Sequence, residues 1–389
     1  MIQNVKIIDR GRIFDGSILV ENGVILSCGN ETNTISDAEV VDGGGCYAAP
    51  GFVELHAHGA GGFDFMDASP EEFARACKTH LLHGTTTILP TTLTGEFENI
   101  YGVIDRFRAS KAFLREGPFT PGLHLEGPYL AMAQRGAQDP RYIKNPDQTE
   151  YRALIEHAAG DIARWTVAPE LPGALEMGNV LTQAGILASM GHTDAEYSTV
   201  VEAVHHGYTH ITHLYSCTST IVRRGGFRYP GVIESAYMLD DLTVEVIADG
   251  CHLPPELLHM VYRLKTPERV ALITDSLRCA GQDVTESVSG PLHNGQRILI
   301  EDGVAKLPDR TAFAGSVATA DRLLRVAHQQ AGVPLADCVR MMSETPARIL
   351  GLSQKKGRLA PGLDADIVLL NSDLTIRAVY FGGRLVRSA

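Results

Sequence analysis

The fold is decided by residues 50–58, PGFVELHAH, a short apolar run that ends in two histidines. Seven later runs have the same form, and the intervals between them leave room for a helix. These runs are TTTILPT (85–91), TPGLHLEG (120–127), RWTVAPE (164–170), GILASMGH (185–192), YTHITHL (208–214), LTVEVIADG (242–250) and RVALITDS (269–276). Eight strands that alternate with helices predict an α/β protein with a TIM-like (β/α)8 barrel. An open doubly wound sheet is the alternative, although no GxGxxG sequence follows the first run to support it.

Helix start signals lie between these runs. Residues 69–72, Ser-Pro-Glu-Glu, place a capping serine and a proline at the start of a helix, which Gly84 is expected to end. Residues 193–196, Thr-Asp-Ala-Glu, have the pattern of a capping box and predict a helix from there toward His205. Local signals therefore support the same alternation as the spacing of the runs.

The chain after the eighth run departs from this alternation. Residues 288–312 include QRILIEDGVAKL, in which Asp302-Gly303 has the composition of a tight turn. We expect a β-hairpin insertion here, near the active-site face of the barrel. Segments 316–331 and 334–351 have helical patterns and are predicted to be the closing helices.

The two ends of the chain differ in character from the middle. Residues 4–46 and 358–387 contain short strand patterns broken by turns, and neither end is large enough to bury a core alone. We therefore expect the two ends to pair. The predicted division is a small β-sandwich domain from residues 1–49 plus 355–389 and a catalytic barrel from residues 50–354.

Composition limits the classes of function. The formal net charge of -12 argues against a general nucleic-acid or anionic-membrane binder, so neither partner is expected. The N-terminus lacks an apolar core of signal-peptide length, and no stretch approaches the roughly 20 apolar residues of a membrane span. The seven cysteines are odd in number and contain no CxxC pair, which predicts free thiols and a cytoplasmic location.

Five of the eight runs end in residue types that bind metal ions. In a parallel barrel every strand ends at the same face, so side chains far apart in sequence meet there. Side chains alternate along a strand, so the two histidines of the first run point to the same side. The candidate ligands are His56, His58, Glu126, His192 and His213, and Asp275 ends the last run. This set favours Zn²⁺, with Fe²⁺ or Mn²⁺ possible.

The number of candidate ligands exceeds what one catalytic ion needs. One interpretation is a pair of ions, with His56 and His58 on one, His192 and His213 on the other, and Glu126 between them. The other is a single ion, with the remaining side chains in other roles. The sequence leaves both interpretations open.

Asp275 is the candidate catalytic residue, a general base that accepts a proton from the attacking water and passes it to the departing amine. The alternative is a structural aspartate that caps the following turn. His124 shares a strand with Glu126 and is a candidate for support of the ligands or of the oxyanion. The other histidines in helical patterns are interpreted as surface or packing residues: His80, His83, His205, His206 and His259.

Nine motifs in one order define a likeness to a known family. They are PGFVELHAHGAGGFD, LHLEGPYL, VAPE, MGHTDA, THLYS, ADGCH, ITDS, FAGS and KGRLAPGLDADIVLL. With these motifs the sequence resembles the amidohydrolase superfamily and, within it, the N-acetylglucosamine-6-phosphate deacetylase family, over residues 1–387. Relatives that bridge their metals with a carbamylated lysine differ, because no lysine ends a run here.

The resemblance implies removal of the acetyl group from N-acetylglucosamine-6-phosphate in amino-sugar catabolism. It implies that Glu126, His192 and His213 bind the main metal ion, that the first-run histidines complete a second site, and that Asp275 is the acid–base catalyst. It places a further set at the substrate: Ala137, Gln138, Ser216, Cys217, Arg228, His252, Phe313, Ala314 and Gly315. Of these, Arg228 and His252 fall where a neighbouring subunit contacts the phosphate in the family, which implies a homodimer.

The chain departs from the family pattern at residues 216–218. Ser-Cys-Thr stands there in place of the usual Asn-Ala-Met, and the loop at 219–231 looks longer and carries three arginines. Arginines bind phosphate well, although a solvated basic loop is the other interpretation. An alternative substrate is therefore another N-acetylhexosamine phosphate, an unphosphorylated N-acetyl sugar or an N-acyl amino acid. An alternative of another class is a non-catalytic barrel that binds metal or sugar.

Overall fold

The computed structural model describes residues 1–30 and 39–388; residues 31–38 and 389 of the predicted terminal domain lie outside the described residues. The strands are β1 Ile2–Asp9, β2 Arg12–Glu21, β3 Val24–Gly29, β4 Val41–Asp42, β5 Tyr47–Pro50, β6 Phe52–Ala57, β7 Gly59–Ala60, β8 Phe63–Asp64, β9 Thr85–Pro90, β10 Leu123–Glu126, β11 Ile162–Val167, β12 Leu187–Met190, β13 Tyr208–Ile211, β14 Val222–Arg224, β15 Phe227–Tyr229, β16 Thr243–Ile247, β17 Val270–Ile273, β18 Glu286–Ser289, β19 Gln296–Glu301, β20 Val304–Lys306, β21 Ile367–Leu370, β22 Ile376–Phe381 and β23 Arg384–Ser388. The helices are α1 Pro70–Leu82, α2 Phe97–Ser110, α3 Gln148–Ala158, α4 Ala174–Gln183, α5 Tyr197–His205, α6 Val232–Met238, α7 Pro255–Lys265, α8 Ala320–Arg325, α9 Leu335–Met342 and α10 Glu344–Ile349.

Each of the eight apolar runs forms a strand, and these strands pair in parallel. Strands β10, β11, β12, β13, β16 and β17 form a six-stranded sheet in that order, and β6 pairs with β9. Single parallel bridges, Ala57 to Ser276 and Thr91 to His124, join both edges of the β6–β9 pair to the larger sheet. The strands are almost wholly buried, since helices cover the curled sheet, and this burial explains the continuous apolar runs.

The helices follow the predicted alternation, with two local differences. Helix α1 begins with the expected capping box of Ser69 and Glu72. Helix α5 begins only at Tyr197 and has no side-chain cap, so the capping box predicted at residues 193–196 is wrong. The Thr193 hydroxyl instead donates to Glu170 Oε2 at 2.6 Å and accepts from the Ala195 amide at 3.1 Å. This threonine therefore holds the loop that carries His192 in place.

The predicted closing helix at 334–351 is two helices, α9 and α10, that meet at Ser343. Pro346 explains the break, because proline has no N–H to donate in a helix interior and fits only within a first turn. The preceding segment is α8, which continues as a π-helical turn over Val326–Gln330.

A three-stranded antiparallel sheet, β18–β19–β20, follows the last barrel strand and has one strand more than the expected hairpin. Its tight turn has Asp302 and Gly303 at φ 54° and 75°, the left-handed geometry that such turns require. Buried Leu277, Ile298 and Ala314 belong to one apolar cluster beneath it. The insertion thereby places the segment after β20 next to the strand ends.

Strands from both ends of the chain share one sheet, in the order β23-β22-β21-β5-β1-β2-β3, with β4 paired to β1. The β21–β5 pairing joins the C-terminal part to the N-terminal part. Its buried side chains belong to two clusters. One, with Ile7, Ile18 and Ile367, lies within the sheet's own core, and the other, with Ile8 and Val368, belongs to the barrel core.

All seven cysteines are free thiols. None of the helices in the described part of the chain combines the length and the apolar character that a membrane span requires.

Candidate metal centre

The structure brings the six predicted ligand-type and catalytic side chains together at the carboxyl ends of the barrel strands. They come from β6 and the residue that follows it, from the end of β10, and from positions two residues beyond β12, β13 and β17. All six are buried: His56, His58, Glu126, His192, His213 and Asp275. Convergence at one face is the arrangement expected for a parallel barrel.

Three imidazoles surround one carboxylate oxygen. Glu126 Oε1 lies 3.0 Å from His213 Nε2, 3.2 Å from His192 Nε2 and 3.4 Å from His56 Nε2. The Nε2 atoms of His192 and His213 are themselves only 3.2 Å apart. Glu126 is therefore the centre of the cluster.

The second nitrogen of each of these rings has its own acceptor. His192 Nδ1 lies 2.9 Å from the Gln134 carbonyl, and His213 Nδ1 lies 3.0 Å from the Ser216 carbonyl. His56 Nδ1 lies 2.9 Å from Glu245 Oε1. When Nδ1 donates to such an acceptor, a neutral imidazole presents a bare lone pair at Nε2.

Nitrogen atoms crowded against one another and against a carboxylate in this way require positive charge between them, from bound protons or from a metal ion. Two overlapping groups could hold an ion, one of His56, His58 and Glu126 and the other of Glu126, His192 and His213. Imidazole and carboxylate donors of this kind suit a borderline divalent metal. The donor set therefore fits the metal that the sequence predicts.

His58 and Asp275 complete the cluster. His58 Nε2 lies 3.1 Å from Asp275 Oδ1 and 3.3 Å from His56 Nε2. His58 Nδ1 is a buried nitrogen without a hydrogen-bond partner among the described residues. Because no acceptor among these residues holds its Nδ1, the His58 ring is less constrained than the rings of His56, His192 and His213.

The electrostatics of the cluster favour positive charge. Burial would raise the pKa of Glu126, but His56 and His192 hold the pKa well below its ordinary value. Burial would lower the pKa of His56, but Glu126 and Asp275 raise this pKa to about 10. Burial would likewise lower the pKa of His192, but Cys217 and Glu126 hold it well above the ordinary value. The carboxylates thus stay ionised and attract a cation.

The backbone is strained where it presents these side chains. His192, His213 and Asp275 have φ values of 47°, 28° and 49°, in the left-handed region that non-glycine residues rarely adopt. Asp275 is held there because its N–H donates to the His56 carbonyl at 2.9 Å and its carbonyl accepts from the Ser316 N–H at 2.9 Å. Strain of this kind gathers at functional sites.

A cavity of about 280 Å³ opens onto the cluster. It is lined by eight of the nine residues predicted at the substrate: Ala137, Gln138, Ser216, Cys217, His252, Phe313, Ala314 and Gly315. Gln138 is fixed in it, because its Nε2 donates to Glu126 Oε2 at 2.7 Å and its Oε1 accepts from the Thr94 N–H at 2.9 Å. Leu93, Ile247 and Leu277 supply apolar wall.

Arg228, the ninth predicted residue, does not line this cavity. It lies on the hairpin of β14 and β15, which is largely exposed. Its neighbour Arg224 pairs with Glu196. Within one chain, the structure therefore separates Arg228 from the other predicted substrate residues.

His124 lies behind the cluster instead of facing the cavity. It is buried, with Nε2 2.7 Å from Thr166 Oγ1 and Nδ1 3.3 Å from Thr91 Oγ1. Its ring contacts the His56 ring edge-on at 4.5 Å. The suggestion that His124 stabilises the oxyanion is therefore wrong, because both of its nitrogens are already bonded within the barrel.

Sequence reasoning missed an ion pair beneath the ligands. Arg164 and Glu245 are fully buried and form a two-point pair, with nitrogen–oxygen distances of 2.5 and 2.9 Å. The available signal was a charged residue within an apolar run, Glu245 in LTVEVIADG and Arg164 in RWTVAPE. Charged residues are almost never fully buried unless they are paired.

Comparison with known proteins agrees with this geometry. The model of the amidohydrolase family matches residues 47–386. The chain therefore belongs to the amidohydrolase family, whose members are metal-dependent hydrolases of amide bonds.

Individual relatives narrow this class. The chain is 33% identical to the N-acetylglucosamine-6-phosphate deacetylase of Bacillus subtilis (strain 168), over 84% of this chain and 81% of the relative. It also matches the structure of a Mycobacterium smegmatis N-acetyl-D-glucosamine-6-phosphate deacetylase mutant in complex with N-acetyl-D-glucosamine-6-phosphate, with a TM-score of 0.89, 31% identity and 99% of each chain covered. The Pasteurella multocida N-acetylglucosamine-6-phosphate deacetylase gives a TM-score of 0.92 at 25% identity, covering 100% of this chain and 99% of that one. The family resemblance predicted from the motifs is confirmed.

Proposed function

We propose that this protein removes the acetyl group from N-acetylglucosamine-6-phosphate, releasing acetate and glucosamine-6-phosphate, with a divalent metal at the Glu126 cluster. One observation carries the proposal. Three imidazoles from separate strands turn their Nε2 atoms toward a single carboxylate oxygen, beside a cavity that fits a small substrate. The curated relatives with this name span nearly the whole chain and support the choice of substrate.

Metal binding is assigned to His56, His58, Glu126, His192 and His213, as one or two ions. Zn²⁺ suits these donors best, with Fe²⁺ or Mn²⁺ as alternatives. A bound divalent ion polarises the acetyl carbonyl and makes the attacking water more acidic. The remaining chemistry belongs to the side chains of this chain.

Asp275 is assigned the proton transfers. Burial would raise its pKa, but His56 and His58 hold the pKa below the ordinary value, so Asp275 is ionised at neutral pH and starts as a base. It takes a proton from the attacking water as the carbon–oxygen bond forms. It then gives this proton to the amine nitrogen as the carbon–nitrogen bond breaks, which leaves acetic acid and a neutral amine. The proton of the new carboxyl group then passes to the amine or to solvent, which gives acetate.

His252 and Gln138 are assigned to substrate binding. His252 Nδ1 lies 2.8 Å from Asp249 Oδ2, and Asp249 Oδ1 accepts from the His252 N–H at 2.9 Å. This aspartate fixes the ring, so that Nε2 is left for the substrate. Phe313 packs edge-on against this ring, with the ring centroids 5.0 Å apart, and also lines the cavity.

A homodimer would supply the positive charge that the cavity of a single chain lacks. Among the described residues, none of those that line the cavity is a lysine or an arginine, although a phosphate carries two negative charges. The exposed β14–β15 hairpin carries Arg228 together with Phe227, which is 72% exposed. A second copy that buries Phe227 would bring Arg228 to the phosphate, where a guanidinium binds through two hydrogen bonds.

The substrate test is acetate release from N-acetylglucosamine-6-phosphate, N-acetylgalactosamine-6-phosphate, both free sugars and an N-acyl amino acid. We expect the first compound to have the highest kcat/KM and chelator treatment to abolish turnover. Arg228→Ala should raise KM for the phosphorylated sugar at least tenfold and leave KM for free N-acetylglucosamine unchanged. Turnover that persists after complete metal removal would contradict the proposal.

A different N-acetyl sugar is the second candidate substrate. Cys217 lines the cavity beside His192, at the place where the family usually has alanine. The cysteine side chain is larger than the methyl group of alanine, so it narrows the cavity at this wall. A preference for the galactose epimer or for an unphosphorylated sugar in the same assay would favour this candidate.

We also propose the finer architecture and setting. The two bridges at the edges of the β6–β9 pair support a closed (β/α)8 barrel for residues 50–354. The separate core of the terminal sheet, drawn from β1, β2, β3, β5, β21 and β22, supports a two-layered β-sandwich for residues 1–49 plus 355–389, because the sheet must fold over on itself for these side chains to bury one another. The free thiols favour the cytoplasm.

A further inference from the structure

We propose that Glu245 is a positioning residue that fixes His56 as a ligand and ties the two halves of the metal centre to one buried support. The inference rests on the proposed metal sites and goes beyond them. Neither Glu245 nor its partner Arg164 lines the cavity, and both are fully buried.

One carboxylate oxygen of Glu245 contacts three neighbouring groups. Glu245 Oε1 lies 2.9 Å from His56 Nδ1, accepts from Arg164 Nη2 at 2.9 Å and accepts from the His213 backbone N–H at 3.3 Å. The acceptor decides which nitrogen of His56 carries the proton and therefore which one presents a lone pair to a metal. The same atom also anchors the backbone of a ligand from the second group.

Arg164 holds this carboxylate in one orientation. Arg164 Nη1 donates to Glu245 Oε2 at 2.5 Å, while Arg164 Nε and Nη2 also donate to Ser189 Oγ and Thr212 Oγ1 at 2.9 and 2.7 Å. The guanidinium is planar and is fixed at several points, so the Glu245 oxygens have little freedom. Arg164 also balances the carboxylate charge in a site that excludes water.

The two groups of ligands depend on Glu245 to different extents. Among residues 1–30 and 39–388, Glu245 is the only acceptor at His56 Nδ1, so without it the ring can turn and its tautomer is no longer fixed. His192 and His213 keep their own Nδ1 acceptors, the carbonyls of Gln134 and Ser216. Loss of Glu245 should therefore weaken the ion at His56, His58 and Glu126 far more than the ion at Glu126, His192 and His213.

A pair of double variants separates the role of Glu245 as a hydrogen-bond acceptor for His56 from its role as the charge partner of Arg164. Replacing Glu245 alone leaves the buried Arg164 charge unpaired and endangers folding, so both variants also carry Arg164→Met. Arg164→Met/Glu245→Gln keeps a carbonyl oxygen that can accept from His56, whereas Arg164→Met/Glu245→Met removes the acceptor at similar volume. Thermal unfolding of both proteins checks that they fold alike.

The measurement is a titration of chelator-treated full-length protein with Zn²⁺, in competition with a chromophoric chelator. The wild type should bind two ions. The Glu245→Met double variant should bind one of them about 10- to 100-fold more weakly and the other unchanged. The Glu245→Gln double variant should recover most of the lost affinity. Under saturating Zn²⁺, kcat of the Glu245→Met protein should recover and KM should stay near the wild-type value.

Asp321→Asn is the matched control. It replaces another carboxylate that is bonded to a histidine, His83 at 2.9 Å, away from the cavity. Both Zn²⁺ affinities should be unchanged in this variant. Equal weakening in the two double variants, or weakening of both ions alike, would overturn the positioning role.

The wild-type titration distinguishes failure of the proposed metal centre from failure of the positioning role of Glu245. A wild type that binds no Zn²⁺ refutes the proposed metal centre together with the inference. A wild type that binds a single ion, or two ions that are both insensitive to Glu245→Met, overturns the inference alone and leaves the hydrolase function intact.

Discussion

Two buried polar layers of the curled parallel sheet differ in how their hydrogen bonds are satisfied. The ligand layer consists of His56, His58, Glu126, His192, His213 and Asp275, and the support layer beneath it of His124, Arg164, His210 and Glu245. In the support layer, Arg164 pairs with Glu245 and the imidazoles bond to threonine hydroxyls. In the ligand layer, ring nitrogens face each other at 3.2 and 3.3 Å around the Glu126 carboxylate.

This difference distinguishes buried polar groups that stabilise the fold from buried polar groups of the same chemistry that bind a ligand. A buried polar network whose members satisfy each other needs nothing further and fixes the geometry. A buried network that leaves lone pairs unmet needs a ligand. The comparison makes four predictions: a change to Asp275 in the ligand layer should alter activity, changes to Arg164 and His210 in the support layer should alter stability, and a change at the cavity wall should alter both slightly.

The largest effect is expected from Asp275→Asn in the ligand layer. The amide keeps the shape of the side chain but cannot accept a proton, so kcat should fall by up to about 10⁴-fold. Metal content and the free energy of unfolding should stay close to those of the wild type. Acetate release and metal analysis on the same preparation check this, and a variant with wild-type kcat would remove Asp275 from the mechanism.

Arg164→Met tests the support layer. It leaves the Glu245 carboxylate buried without its partner, which should cost about 3–5 kcal/mol in the free energy of unfolding. Urea unfolding of the metal-free protein measures this cost. Arg297→Met is the control, because Arg297 pairs with Glu286 at the surface and should contribute little. If the two variants lose the same amount, the buried pair is not the distinguishing feature of the layer.

His210 in the support layer predicts a dependence of stability on pH. Burial lowers the pKa of His210 to about 4, below the value of about 6.5 for the unfolded chain. A lowered folded-state pKa contributes stability that is complete above pH 6.5 and is lost as the pH falls toward 4, by roughly 3 kcal/mol in total.

His210→Asn should flatten the fall in the free energy of unfolding between pH 6.5 and pH 4 by about one proton. The asparagine amide can still form a hydrogen bond with the hydroxyl of Thr243, which bonds His210 Nδ1 in the wild type. Urea titrations of chelator-treated protein exclude effects of metal release. The exposed His205→Asn should keep the wild-type pH slope, and an identical slope in His210→Asn would show that this imidazole is not the source.

The smallest effect concerns the wall of the cavity. Gly136 has φ 55°, and a methyl group there would lie 2.6 Å from Cys217 Sγ. Gly136→Ala should therefore cost about 1 kcal/mol through the backbone and should also raise KM a few-fold as Cys217 shifts. Gly225→Ala has the same φ of 55° and nothing within 4 Å, so it should show the backbone cost without the change in KM.

The amount that could be predicted differs between the two layers. The ligand layer could be predicted because each member ends an apolar run, and a parallel barrel sends all such ends to one face. Asp275 and His192 are examples, both two residues beyond their strands. In the support layer only His124 was singled out. Arg164, His210 and Glu245 were missed because they lie inside the runs, where apolar composition indicates a strand but not which neighbour a buried polar group will meet.

The sequence by itself determined the eight strands, the set of candidate ligands and the family, because these are local patterns repeated along the chain. Only the tertiary structure decided that Glu245 meets His56 and Arg164, that His124 is bonded behind the site, and that Arg228 lies outside its own cavity. The physical reason is that contacts between strands depend on register and on the curl of the sheet. Both are set by packing of the whole barrel and not by neighbours in sequence.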